Sequence, residues 1–262
     1  MKLRDKVALV TGASDGIGRA HARRLAKEGA QVILAARRLD VLEAEAAALR
    51  ASGLRALALQ LDVTSDDSVF ACMVEIENRF GVLDILVNNA GNAGTLDFWL
   101  KHDAGDLRRM MEVHVFGMER VTRAALPAML ARGSGVIVNT ASAVAWVPMP
   151  TAAAYSAAKA AVAAFTTALR AELHGKGVKV MLFTPAHTRT SSAWDLGSLP
   201  TVSAETCAAK LVTALKHDRE EAIGGMTSGN LLTLARIAPK SARAIMRDMG
   251  LRAAEAAGLQ RP

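Results

Sequence analysis

The chain has 262 residues, 51% of them hydrophobic and 22% charged, which suits a soluble globular protein and leaves room for a large core. Its formal charge of +7 is spread along the chain rather than blocked, so it fits a ligand bearing several phosphates and argues against a nucleic-acid-reading element. Cys72 and Cys207 stand far apart and the six His are dispersed without HExxH, so neither a disulfide framework nor a metal site is expected.

In chain order, short apolar runs alternate with alanine-rich helical patterns. The first run, 6–11, leads into a helix at about 17–28. The next, 31–36, precedes a helix near 40–51, and 55–62 precedes one near 66–80. After 83–91 comes a long helix across 103–132. Then follow 135–142, a helix that opens on "AAAYSAAKAAVAAF" (152–165), and a run at 178–186. Continuous apolar runs, without strict alternation, mark strands covered on both faces. The expectation is an α/β fold, a doubly wound and mainly parallel sheet between two helical layers, in a single domain over 1–262. Residues 186–205 read as a substrate-flanking loop with Trp194 and Leu196. In the tail, 226–262, Leu234, Ile237, Ile245 and Met249 read as an apolar face set against Arg236, Lys240, Arg243 and Arg247. That face is expected to pack over the pocket or a partner, or to lie on an anionic membrane. No apolar run is long enough to span a bilayer and no cleavage region follows the start, so a cytoplasmic location is expected.

"TGASDGIGRA" (11–20) sits between the first strand and the first helix. Gly12, Gly16 and Gly18, with Ser14, Asp15 and Ile17 between them, suit a tight turn that brings a pyrophosphate to a helix N-terminus. After the second strand an NAD site wants a carboxylate, but the chain offers Ala36, Arg37 and Arg38. Guanidinium groups suit a 2′-phosphate, so NADP(H) is expected over NAD(H), with Ser14 as an added donor and Asp15 turned outward. The alternative for the arginines is a solvated surface. Asp62 and Val63 end the third strand where an adenine edge would lie, although Asp62 also suits a turn cap. Asn89, Ala90 and Gly91, in "NNAG", let backbone lie against a ribose.

Tyr155, the only tyrosine, and Lys159 are one helical turn apart on one face. An ammonium there is expected to lower the phenol's pKa toward the range of general acid–base work. Ser142 ends the fifth strand at the sheet edge where ligands bind, and its hydroxyl can donate to a substrate carbonyl.

TGxxxGxG at 11–18, NNAG at 88–91, Ser142, YxxxK at 155–159 and "PAHTRT" at 185–190 together resemble the short-chain dehydrogenases/reductases, over about 5–190. That resemblance implies a Rossmann-type seven-stranded sheet and interconversion of an alcohol and a carbonyl with NAD(P). It makes Tyr155 the acid/base and Lys159 the holder of the nicotinamide ribose. Ser142 would orient the substrate oxygen, and Pro185, Thr188 and Thr190 would touch the nicotinamide. It also implies a homodimer or homotetramer formed through two long helices. Two positions depart from the family's pattern. His114 stands where Asn usually anchors a relay water, and it either holds that water or fills the space. Ala186 stands where Gly is usual. Trp146, Met149 and Trp194 are expected to form an apolar substrate pocket. A non-catalytic NADP(H) sensor on the same fold is the competing reading.

Overall fold

The computed structural model describes residues 1–190, 194 and 200–260. Seven strands form one sheet: β1 (Val7–Thr11), β2 (Gln31–Ala36), β3 (Ala56–Gln60), β4 (Ile85–Asn88), β5 (Gly135–Thr140), β6 (Val178–Thr184) and β7 (Glu221–Ile223). Their order is β3-β2-β1-β4-β5-β6-β7 and every pairing is parallel. Between strands run α1 (Gly16–Lys27), α2 (Leu39–Ala51), α3 (Asp66–Phe80), α4 (Asp106–Met111), α5 (Gly117–Arg132), α6 (Ala153–Glu172) and α7 (Ala204–Lys216). The helices α8 (Met226–Ile237) and α9 (Pro239–Ala256) end the chain.

Alternate strand residues face two cores. Ala8, Val10, Val32, Leu34, Val87 and Phe183 pack with Leu25, Leu42 and Leu211 on one face. Leu9, Ile33, Leu86 and Ile137 pack with Ile76, Val121, Met129 and Leu169 on the other. Local chemistry sets several helix ends. Ser65 accepts from Ser68 N at the start of α3, and Gly81 ends it in the left-handed region (φ 67°).

Strand order reverses beside β1, so the loops after β1 and β4 open a crevice at the carboxyl edge. Thr11 ties the two loops: its hydroxyl accepts from Asn89 N and Ala90 N, each at 3.0 Å. A buried polar chain then fixes the helix behind β5. Asn88 Nδ2 donates to Thr122 Oγ1 and Asn139 Oδ1, both at 2.9 Å, and Asn139 Nδ2 donates to Thr166 Oγ1 at 3.0 Å. Buried networks of this kind specify one packing of the helices that share them.

Several sequence expectations need correction. The helix expected across 103–132 begins at Asp106 and is interrupted by one π-helical turn, Glu112–Phe116. The sheet's last strand, β7, and α7 were given no position in the sequence. The tail is two helices broken at Pro239, and its expected apolar face divides: Leu234 and Met249 pack inward, whereas Ile237 is 76% exposed and Ile245 52%. Leu196 lies outside the described residues. Among those described, no helix is long and apolar enough to cross a membrane.

Candidate active site

A single cavity of about 1290 Å³ runs along the carboxyl edge of the sheet. Gly12, Ser14, Asp15, Gly16, Ile17, Gly18, Arg37, Arg38, Asp62, Val63, Asn89, Ala90 and Gly91 line one end. His114, Ser142, Tyr155, Lys159, Pro185, Thr188 and Thr190 line its middle, so every residue that the sequence offered for catalysis or cofactor binding faces this one space. Met149 and Trp194 line it too. Trp146 does not: it follows the short 3₁₀ turn Ala143–Ala145 and is turned outward, 40% exposed.

The glycine loop is a cradle that a side chain would fill. A Cβ at Gly18 would stand 2.3 Å from Gly12 O and 2.5 Å from Asn89 Nδ2. Backbone can therefore approach a dinucleotide closely beside the N-terminus of α1. Asp15 is used locally, accepting from Gly16 N at 2.7 Å as a helix cap and pairing with Arg19 at 3.2 Å. The expectation that Asp15 turns outward is corrected: its carboxylate is held by these local contacts, and the residue still lines the cavity. Arg38 donates to Ser14 Oγ at 3.2 Å, bringing a cation and a hydroxyl together at the end of β2 where a carboxylate is missing. Asp62 accepts from Thr64 N and Oγ1 at 3.0 and 2.8 Å, the turn-cap role, while still lining the cavity. Those contacts hold its carboxyl below the usual range.

Helix α6 brings Tyr155 to the cavity wall, and Ser142 from the end of β5 hydrogen-bonds its hydroxyl. Lys159 lies buried beneath, its Nζ 5.7 Å from the tyrosine ring centroid and donating to Thr140 O at 2.7 Å. The electrostatics differ from the sequence expectation. Burial pushes the phenol up to about 12, against the Ser142 hydrogen bond, and burial pushes Lys159 down to about 7. In the protein alone, loss of water outweighs the cation's pull, because both groups lose hydration that favours their charged forms.

The π turn places His114 against the tyrosine, ring centroids 5.5 Å apart and edge to face. Such turns often mark functional sites. His114 Nε2 lies 2.8 Å from Asn92 O, an acceptor, so Nε2 carries the proton and Nδ1 is bare. Burial holds the ring neutral, its pKa pushed down to about 3. Gly91 makes room for it: a Cβ there would stand 2.1 Å from His114 Cε1. His114, Asn88, Thr140 and Lys159 also line a small cavity of about 10 Å³, the size of one water. His114 Nδ1, Asn88 Oδ1 and Thr140 Oγ1 are all buried without a hydrogen-bond partner among the described residues. Sequence reading had singled out only His114 and Lys159 of these. A strand-end Asn and Thr look structural until their spare atoms are counted.

The short chain dehydrogenase family model matches residues 6–198, and the chain belongs to that family. That membership makes it an oxidoreductase whose cofactor is a nicotinamide dinucleotide. It is 40% identical over 189 residues to a cis-4-hydroxycyclohexanecarboxylate dehydrogenase of Sinomonas cyclohexanicum, covering 71% of this chain and 74% of that one. A short chain dehydrogenase/reductase of Burkholderia phymatum in complex with NAD superposes with a TM-score of 0.82 at 26% identity, over 94% of this chain and 97% of that one. An alcohol dehydrogenase of Thermococcus sibiricus complexed with 5-hydroxy-NADP gives 0.76 at 29% identity, over 84% and 96%.

Proposed function

We propose that the protein is an NADP(H)-dependent oxidoreductase that interconverts a hydrophobic secondary alcohol and its ketone, with Tyr155 as general acid/base. The observation that carries this reading is the meeting of Ser142, Tyr155 and Lys159 in the cavity that holds the glycine cradle. The cofactor, when bound, supplies or takes the hydride at the carbonyl carbon, and its oxidised ring adds a positive charge beside the phenol.

The chain's residues do the rest. Gly12, Gly16 and Gly18 admit the pyrophosphate, and Arg37, Arg38 and Ser14 offer charge-assisted donors to a 2′-phosphate. Asp62 and Val63 border the adenine end, and Asn89, Ala90 and Gly91 border the ribose. Pro185, Thr188 and Thr190 border the nicotinamide end. Ser142 donates to the substrate oxygen and Tyr155 gives it a proton in reduction or removes one in oxidation. Lys159 holds the ribose and, as an ammonium, stabilises the phenolate left behind. His114 Nδ1 accepts from a water in the small cavity, which passes the proton on from Lys159. The described part of the substrate end is apolar, with Met149 and Trp194 in its wall. An alanine stripe on α6, with Ala153, Ala157, Ala164 and Ala168 exposed, supports pairing of two copies into a homodimer or homotetramer. The protein works on a small molecule in the cytoplasm.

The test is a panel of apolar ketones followed by NADPH and NADH absorbance. NADPH has the lower KM by about tenfold or more, the equivalent of ~1.4 kcal/mol of phosphate contact. Arg37→Asp with Arg38→Ala reverses the preference. Equal use of NADH, unchanged by those substitutions, contradicts the arginine reading. Tight NADPH binding with no turnover on any substrate would instead favour the sensor.

A further inference from the structure

The family match ends at residue 198, whereas α8 and α9 follow it and close the substrate end of the cavity. Beyond Ser142 and Tyr155 the wall is led by Met110, Met149, Trp194, Leu231, Met246 and Met249, with the neutral hydroxyls of Thr227 and Ser228 among its polar members. Its shape is fixed at two points. At Gly250 a Cβ would come 2.8 Å from Met149 Cγ and 2.9 Å from Pro150 Cδ, so α9 lies in direct contact with the loop that precedes α6. Trp194 Nε1 donates to Gly94 O at 2.8 Å, which spends its one polar atom and leaves its ring edge to face Tyr155 at 5.2 Å. Methionine side chains are flexible and polarisable, so such a wall adapts to ring and chain shapes without supplying a charge.

The charged groups at this end are already matched. Asp106 pairs with His102 at 3.0 Å and with Arg109, and Arg109 also pairs with Asp103 at 2.9 Å. Glu112 pairs with Arg120 at 3.2 Å. His187 is engaged in a contact of its own. Lys159 lies deeper and donates to Thr140 O. A carboxylate or phosphate carried in by a substrate would lose its water here and, among the described residues, meet no unpaired cation but Lys159, which is buried beneath Tyr155 and already bound to Thr140 O, so the cost is large.

We infer that this site, on the oxidoreductase reading above, selects uncharged apolar ketones and alcohols against anionic ones of the same shape, and that the methionine wall of α9 sets the selection. Two probes of matched shape test it: 4-tert-butylcyclohexanone and 4-oxocyclohexanecarboxylate, at pH 8. Each is titrated calorimetrically into the protein saturated with NADP⁺, and each is assayed for turnover with NADPH. The neutral ketone binds at least tenfold more tightly, and Met249→Arg narrows that gap at least tenfold. Ile245→Arg, at the exposed rim of the same wall, repeats the measurement if Met249→Arg does not fold. Carboxylate binding as tight as the ketone's, or a gap unmoved by a folded arginine variant, overturns the inference. Selective binding of the ketone without turnover upholds the wall and overturns the oxidoreductase reading alone.

Discussion

The two ends of the cavity are built by different means. At the end that carries the glycine loop, proposed to take the cofactor, strand termini and a helix N-terminus bring backbone to the cavity wall, and Thr11 and Asn89 lock the two loops together. At the substrate end, side chains from α8, α9 and the loop before α6 meet across an apolar gap, and α9 docks through Gly250. The first construction tolerates almost no change in backbone position. The second depends on volume and charge, and accepts many residue combinations of similar size. Cofactor recognition should therefore be brittle, and substrate recognition plastic.

The sharpest way to break the comparison is at Gly18. Gly18→Ala pushes a methyl into Gly12 O and Asn89 Nδ2, and NADPH binding weakens roughly 100-fold, about 2.7 kcal/mol. Binding is read by cofactor fluorescence with circular dichroism as the folding control. A loss of tenfold or less means the loop is as plastic as the substrate wall. Lys159→Met comes next and leaves NADPH affinity less affected than turnover, which falls about 100-fold because the phenolate loses its stabilising charge.

The pH dependence sharpens the same point. Lys159 titrates at about 7, so ketone reduction by the wild type declines as pH rises through that value and the ammonium is lost. Alcohol oxidation needs the phenolate and climbs with pH toward the tyrosine's higher value. Parallel profiles in the two directions contradict this assignment.

The smallest effect concerns stability. His21, on α1, is fully buried, packs edge to face on Phe183 at 5.1 Å, and has no partner among the described residues for either ring nitrogen. Burial pushes its pKa down to about 3. The unfolded chain therefore takes up a proton near pH 6.5 that the fold refuses, and stability falls as pH drops below that value. His21→Leu stabilises the fold by about 1–3 kcal/mol at pH 7, because orphaned buried polar atoms are removed. The gain widens at pH 5 in urea titrations. Equal gains at both pH values would mean that the ring is not held neutral.

Sequence motifs picked out residues that line one cavity because backbone constraints write themselves as glycines, strand-end asparagines and a fixed Tyr–Lys spacing. The helix expected near 66–80 matches α3 because Ser65 and Gly81 mark both ends. Side-chain volume leaves no such marks. Residues Leu231, Met246 and Met249 join the pocket only because Pro239 breaks the tail into two helices, and one stripe drawn through Ile237 and Ile245 crosses that break. Strand β7 is three residues with only Ala222 buried, too short to show a pattern. The π turn at 112–116 follows no helical periodicity that hydropathy reveals. Its histidine was visible by position, but its bare Nδ1 and the water-sized cavity needed coordinates.

The central claim is that Tyr155 moves the proton while the surrounding cavity binds the ligands. Steady-state turnover of Tyr155→Phe, measured beside its NADPH dissociation constant, tests it most directly. The account predicts a fall in kcat of about 10²- to 10⁴-fold with NADPH affinity within about twofold of wild type. Turnover retained at near wild-type rate, with the ring's hydroxyl gone, would contradict it.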